Sequence, residues 1–321
     1  MPEAPRIESG AVTGELCSSA NPGPVDPVLA PLDKKIGNLI VNRFTYRIVR
    51  QLGRLMRPAF DSNGVTVDHD AHAGSPIFTI RPLERQGDGA LMLFHGGGFV
   101  LGEPADLFPK AALFAKRLGV PVICPAYRLA PQAPYPAAID DAYAAWQNTI
   151  SAAAALAIDP AKIVVGGYSA GAGLAASLVH RLCDEGGIQP AAQLLVYPML
   201  DDRTAERRAL DTPRHRVWSN RNNRFAWNAY LGPAARPERQ KYAAAARRAD
   251  LAGLPPAWLG VGTCELFLDE VRDYRSRLAA AGVAFAYEEI VGAIHGFDMD
   301  DNPLGHAFTE SQLKFAHRYV S

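Results

Sequence analysis

"IVVGGYSAGAGL", residues 163–174, is an apolar, β-branched run that breaks into glycines around a single serine. The run reads as a strand and the residues after it read as a helix. Gly167 and Gly171 allow a sharp turn between the two, which would lift the Ser169 hydroxyl above a sheet with the positive end of a helix beneath it. A G-x-S-x-G match arises by chance in roughly one chain in ten of this length. Whether Ser169 is a nucleophile or only a small turn residue therefore depends on partners elsewhere in the chain.

The flanking pattern favours a site. Short strand-like runs follow one another as "VTVDH", "IFTIRPL", "ALMLFH", "VPVICPAY", "KIVVGGY", "AAQLLVYP", "PAWLGVG" and "AFAYEEIV". The later runs alternate with helical stretches such as "PKAALFAKRLG", "AAIDDAYAAWQNTISAAAALA" and "LAASLVHRLCDEGG". This alternation predicts an α/β protein with about eight strands in one mostly parallel sheet, helices covering both faces. Before it, the spacing in "IGNLIVNRFTYRIVRQLGRLM" predicts an amphipathic helix over residues 36–56. Residues 1 to about 28, rich in Pro, Ser and Gly, are expected to be mobile unless they dock. Between "LLVYPML" and "PAWLGVG" the alternation stops for more than fifty residues. Trp218, Phe225, Trp227 and Tyr230 there are spaced like one helical face, suited to packing the insertion on the core and to walling a pocket.

A serine hydroxyl needs a base and an oxyanion site to act as a nucleophile. "LFHGGGFVLG" offers the second, since consecutive glycines let backbone N–H groups converge, with His95 better suited to anchoring the loop than to acting as base. The base should follow the last strand, where "EEIVGAIHGFDMD" offers His295. The orienting acid should follow the strand before, in "GVGTCELFLDE", where Glu265 and Asp269 compete and chemistry alone does not separate them.

Lys plus Arg equals Asp plus Glu at 33 each in a chain of 321 residues. No net field attracts nucleic acid or an anionic membrane, and a neutral small molecule is the natural partner. Cys17, Cys124, Cys183 and Cys264 form no C-x-x-C pair, which removes the usual zinc and dithiol signatures. The N-terminus lacks a secretory pattern and no apolar run is long enough to span a bilayer, so a cytoplasmic protein is expected.

The ordered motifs "FHGGGFVLG", "AYRLAPQAPYPAAIDDAYAA", "IDPAKIVVGGYSAGAGLAA", "YPMLD", "VGTCELFLDE" and "HGF" resemble the hormone-sensitive-lipase-like (bacterial family IV) carboxylesterases of the α/β-hydrolase superfamily. The resemblance implies an α/β-hydrolase fold with a helical cap: residues 1–60 contributing to the cap, a cap insertion at 201–232, and a catalytic domain at 61–200 and 233–321. It implies an oxyanion hole formed by Gly97, Gly98 and Ala170, and it places the orienting acid at Glu265, thirty residues before His295, with Asp269 as a supporting carboxylate. Tyr168 and Ala172 depart from the pattern, since relatives commonly carry Asp or Thr before the nucleophile and a second glycine after the elbow.

The expected activity is cleavage of short- to medium-chain acyl esters by Ser169, His295 and Glu265, with no metal or organic cofactor. An amide, formamide or carbamate hydrolase or a metabolite deacetylase would use the same groups, and a non-catalytic receptor could share the fold. The resemblance also makes a homodimer through the last strand reasonable.

Overall fold

The β-branched runs do become strands: β1 Val65–Asp70, β2 Ile77–Pro82, β3 Ala90–Phe94, β4 Val122–Pro125, β5 Ile163–Tyr168, β6 Ala192–Val196, β7 Ala257–Gly262 and β8 Phe285–Ile290. The computed structural model describes residues 17–35, 39–55, 57, 60–70, 76–212, 214–233 and 240–321. The eight strands form one sheet in the order β1-β2-β4-β3-β5-β6-β7-β8. β1 and β2 pair antiparallel and β2 meets β4 antiparallel, while every other pairing is parallel. The parallel centre is buried on both faces, which is why its strands are apolar without alternation.

The helices are α1 Ala30–Lys35, α2 Tyr46–Leu55, α3 Phe108–Leu118, α4 Ala137–Ser151, α5 Ala153–Leu156, α6 Ala170–Glu185, α7 Asn220–Leu231, α8 Leu268–Ala280 and α9 Pro303–Val320. Strand periodicity divides the core in two. Met92, Phe94, Val165 and Leu259 pack with α4, α6 and α8. Leu91, Leu93, Val164 and Trp258 face α3 and α9 on the other side. Each such fully buried large side chain stabilises the fold by about 1.5–3 kcal/mol relative to exposure.

The helix expected over residues 36–56 is shorter than its periodicity suggested. Within the described part it starts at Tyr46. Asn42 Oδ1 accepts from the N–H groups of Phe44 and Thr45, a local turn that competes with helix. Just before it, Asn222 of α7 bonds the backbone on both sides, accepting from Val41 N at 2.9 Å and donating to Leu39 O at 2.7 Å. That bracket holds residues 39–41 out of helix.

Residues 1–16 of the N-terminal segment lie outside the described residues. From Cys17 onward the segment docks. Asp26 N donates to Gly292 O at 2.9 Å, His215 Nε2 bonds Ser19 O at 2.8 Å, and Arg272 donates to Cys17 O at 2.5 Å. It thus crosses the loops that follow β7 and β8 and touches the insertion.

Candidate active site

Strand β5 delivers Ser169 to its end, and α6 begins at the next residue. Ser169 sits at φ 56°, ψ −120°, a conformation costly for a residue with a side chain. It is held there by its own backbone: Ser169 N donates to Val196 O at 2.9 Å, and Ser169 O accepts from Ala172, Gly173 and Met199 N–H at 3.0–3.1 Å. The flanking glycines are required by contact. A Cβ on Gly171 would lie 2.2 Å from Phe94 O, and one on Gly167 would lie 2.6 Å from the same atom.

His295 follows β8 and reaches back over the sheet. Its Nδ1 is 2.5 Å from Glu265 Oε2 and its Nε2 is 2.9 Å from Ser169 Oγ. An ionised carboxylate can only accept, so Nδ1 carries the hydrogen; Nε2 is then the acceptor of the serine O–H. All three side chains are buried. Burial raises the Glu265 carboxyl above its ordinary range, against the opposing pull of His295. Glu265 Oε1 has no hydrogen-bond partner among the described residues. A carboxylate so poorly solvated gains most when a positive charge forms beside it.

Asp269 is not the supporting carboxylate of His295. It lies in the first turn of α8, where its Oδ1 accepts from Ser19 N at 3.0 Å and its own N–H donates to Ser19 Oγ at 3.1 Å. Arg207 is its other partner at 3.4 Å. Glu265 precedes the helix and is free to turn inward, whereas helix geometry commits Asp269 to the docked N-terminal segment.

The loop after β3 brings its glycines beside the serine. Gly97 and Gly98 have φ 112° and 61°. A Cβ on Gly97 would lie 2.3 Å from Leu101 O. The N–H groups of Gly97, Gly98 and Ala170 have no acceptor among the described residues. His95 anchors this loop. Its Nδ1–H donates to Gly96 O at 2.8 Å, its ring stacks on Tyr127 at 4.2 Å, and its carbonyl accepts from Tyr127 Oη at 2.8 Å. Desolvation lowers its pKa to about 4 despite the Gly96 bond, so the ring stays neutral at physiological pH.

A sequence profile of the family described as alpha/beta hydrolase fold matches residues 91–299, well over half of the chain. The chain belongs to the α/β-hydrolase family. Among its relatives, the carboxylesterase NlhH of Mycobacterium tuberculosis is 32% identical over 246 residues, which is 72% of this chain and 74% of that protein. The acetyl-hydrolase of Streptomyces hygroscopicus is 32% identical over 65% of this chain and 68% of its own. Of solved structures, the bacterial heroin esterase superposes with a TM-score of 0.85 at 31% identity, covering 92% of this chain and 98% of its own. These relatives place this α/β-hydrolase in the hormone-sensitive-lipase-like branch.

Beneath His295 this hydrolase carries a buried polar chain that sequence reasoning missed. The edge of Tyr197 meets the imidazole at 4.7 Å between centroids, and Tyr197 Oη donates to Asp298 Oδ1 at 2.9 Å. Asp298 Oδ2 pairs with Lys110 Nζ at 3.1 Å, although the angle is too poor for a hydrogen bond; Lys110 also donates to Thr309 Oγ1 at 3.0 Å. Asp298 stands three residues after His295 in "HGFDMD", the one sequence signal that pointed to it. Glu270 was missed as well. It holds the loop after β6 by accepting from Leu200 N at 2.7 Å and from the Thr204 hydroxyl. Tyr168, the departure before the nucleophile, points away from the site, donating to Gln312 Oε1 at 3.1 Å and packing on Tyr197.

The insertion's aromatics divide. Trp227 and Tyr230 pack on Phe99 at 5.7 and 4.0 Å, and Phe225 meets Tyr46 of α2 at 6.0 Å. Trp218 covers Gly98 instead, where a Cβ would lie 2.3 Å from its ring. Among the described residues, no helix is long and apolar enough to cross a membrane.

Proposed function

We propose that the chain is a carboxylic ester hydrolase in which Ser169 attacks the acyl carbonyl while His295 takes its proton. Glu265 orients the ring and stabilises the imidazolium, which then protonates the leaving alcohol. Water, activated by the same imidazole, hydrolyses the acyl-enzyme and frees the acid. The N–H groups of Gly97, Gly98 and Ala170 receive the oxyanion, each such donor contributing about 3 kcal/mol to the transition state. The observation that carries this reading is the unbroken contact from Ser169 Oγ to His295 at 2.9 Å and on to Glu265 at 2.5 Å.

The names of the relatives, carboxylesterase and acetyl-hydrolase, support short acyl esters as substrates. Residues 1–60 and 201–232 act as the cap over a catalytic domain of 61–200 and 233–321; the bracket of Leu39 and Val41 by Asn222 supports that division. β8 is an edge strand, which supports pairing with a second copy in a homodimer. Four free thiols support a reducing compartment such as the cytoplasm.

Ser169→Ala tests the mechanism on a series of p-nitrophenyl esters of increasing acyl length. Turnover is expected to vanish, and labelling of the wild type by an organophosphonate to be lost with it. Undiminished turnover in the variant would refute the assignment.

A further inference from the structure

Trp218 is buried, yet its indole Nε1 has no hydrogen-bond partner among the described residues. An indole N–H can only donate, and native interiors rarely leave such a group unpaired without a reason. Its position suggests the reason. The ring atoms Cζ2 and Cη2 fill the space a Cβ on Gly98 would need, 2.3 and 2.4 Å from that point. Cζ2 and Nε1 are both bonded to Cε2, so the unpaired N–H belongs to the edge of the indole that covers the oxyanion loop.

The backbone gives an independent sign. Val217 sits at φ 65°, and Trp218 N donates to Arg216 O at 2.7 Å, closing a three-residue turn around a left-handed, β-branched residue. Such turns are rare and strained. Strain of this kind persists where the surroundings impose it, and it clusters at ligand sites. Here it fixes the indole against the loop.

Resting on the ester-hydrolase reading, we infer that Trp218 is a specificity-determining residue whose N–H donates to an oxygen in the acyl part of the substrate. The leaving alcohol must lie against His295, whose ring is flanked by Tyr197 and Phe267. The acyl part is left to face the loop and the indole. The preferred substrates are therefore esters of short acids that carry a second acceptor oxygen near the scissile carbonyl, such as alkoxy- or acyloxy-substituted acids, over plain alkanoates of equal length.

The test compares p-nitrophenyl ethoxyacetate with p-nitrophenyl pentanoate, which differ by one oxygen in place of a methylene. Each kcat/KM is divided by the rate of the same ester with hydroxide, which removes the intrinsic activation by the ether. The wild type is expected to favour the ethoxyacetate by about tenfold, the size of one buried hydrogen bond. In Trp218→Phe, which keeps a smaller aromatic, apolar side chain and removes the donor, the ratio is expected to fall to near one. A wild-type ratio near one, or a ratio unchanged in Trp218→Phe, overturns the inference. If that variant does not fold, the wild-type ratio decides alone. A wild type inert toward both esters refutes the hydrolase reading itself and this inference with it, whereas turnover without discrimination refutes only the role of the indole.

Discussion

Replacing Lys110 by methionine removes the cation beneath the histidine loop while keeping the length and apolar stem of the side chain. The Asp298 carboxylate is fully inaccessible and Lys110 is about one-fifth exposed, so little water can replace the lost ammonium. Breaking a buried pair by removing one partner costs about 3–5 kcal/mol, because a charge is left uncompensated. The unfolding entropy of a 321-residue chain is about 0.7 kcal/mol per kelvin, so a loss of about 4 kcal/mol lowers Tm by about 6 °C. Thermal and urea unfolding of the variant measure it. Adding Asp298→Asn to Lys110→Met removes the stranded charge and is expected to recover most of the loss. The same pair of variants reports on catalysis. Asp298 holds Tyr197, and Tyr197 abuts the imidazole, so Lys110→Met is expected to lower kcat more than it raises KM. A loss below about 1 kcal/mol, or no recovery in the double variant, would refute the view that a compensated buried charge supports His295.

Two further expectations concern named carboxyl and imidazole groups. Glu265→Gln is expected to lower kcat on the order of 10³- to 10⁴-fold by favouring the wrong imidazole tautomer, whereas Asp269→Asn leaves turnover near wild type and weakens the docking of residues 17–26. Activity abolished by the second change alone would reverse the assignment. Burial holds the His180 imidazole down at about 3, against an ordinary 6.5, with its Nε2 on Tyr274 Oη at 2.8 Å. The unfolded chain therefore binds a proton between about pH 6.5 and 3 that the folded chain does not. The stability from keeping this ring neutral is complete above the unfolded pKa and is lost as pH falls through that window. Urea unfolding from pH 6 to 4 should show a stability slope in His180→Gln shallower than wild type by about one proton, or about 1.4 kcal/mol per pH unit. Parallel slopes would exclude it.

What could be read from the sequence was set by local requirements of the backbone. Gly167, Gly171 and Gly97 are glycines because a Cβ would collide with Phe94 O or Leu101 O, and such demands leave a one-residue mark in the chain. The central strands were legible because a parallel sheet covered on both faces needs unbroken apolar runs, whereas β1, an antiparallel edge strand exposed beyond Val65, was marked only by its β-branched Val65, Thr66 and Val67. The start of α2 was legible only in part: the Asn42 turn before it is local, but the bonds that hold Leu39 and Val41 out of helix come from Asn222, some 180 positions away. The Tyr197–Asp298–Lys110 chain failed for the same reason, being assembled from the ends of β6, the loop after β8 and α3. Glu265 and Asp269 are chemically interchangeable on paper, and only the start of α8 at Leu268 turns one inward and commits the other to Ser19. Tyr168 lies between these cases. Strand periodicity gives it the same face as Val164, the side of α9, so its side chain could never have lain beside the nucleophile it precedes. Its effect on the site must pass through Tyr197, on which it packs and which in turn meets His295.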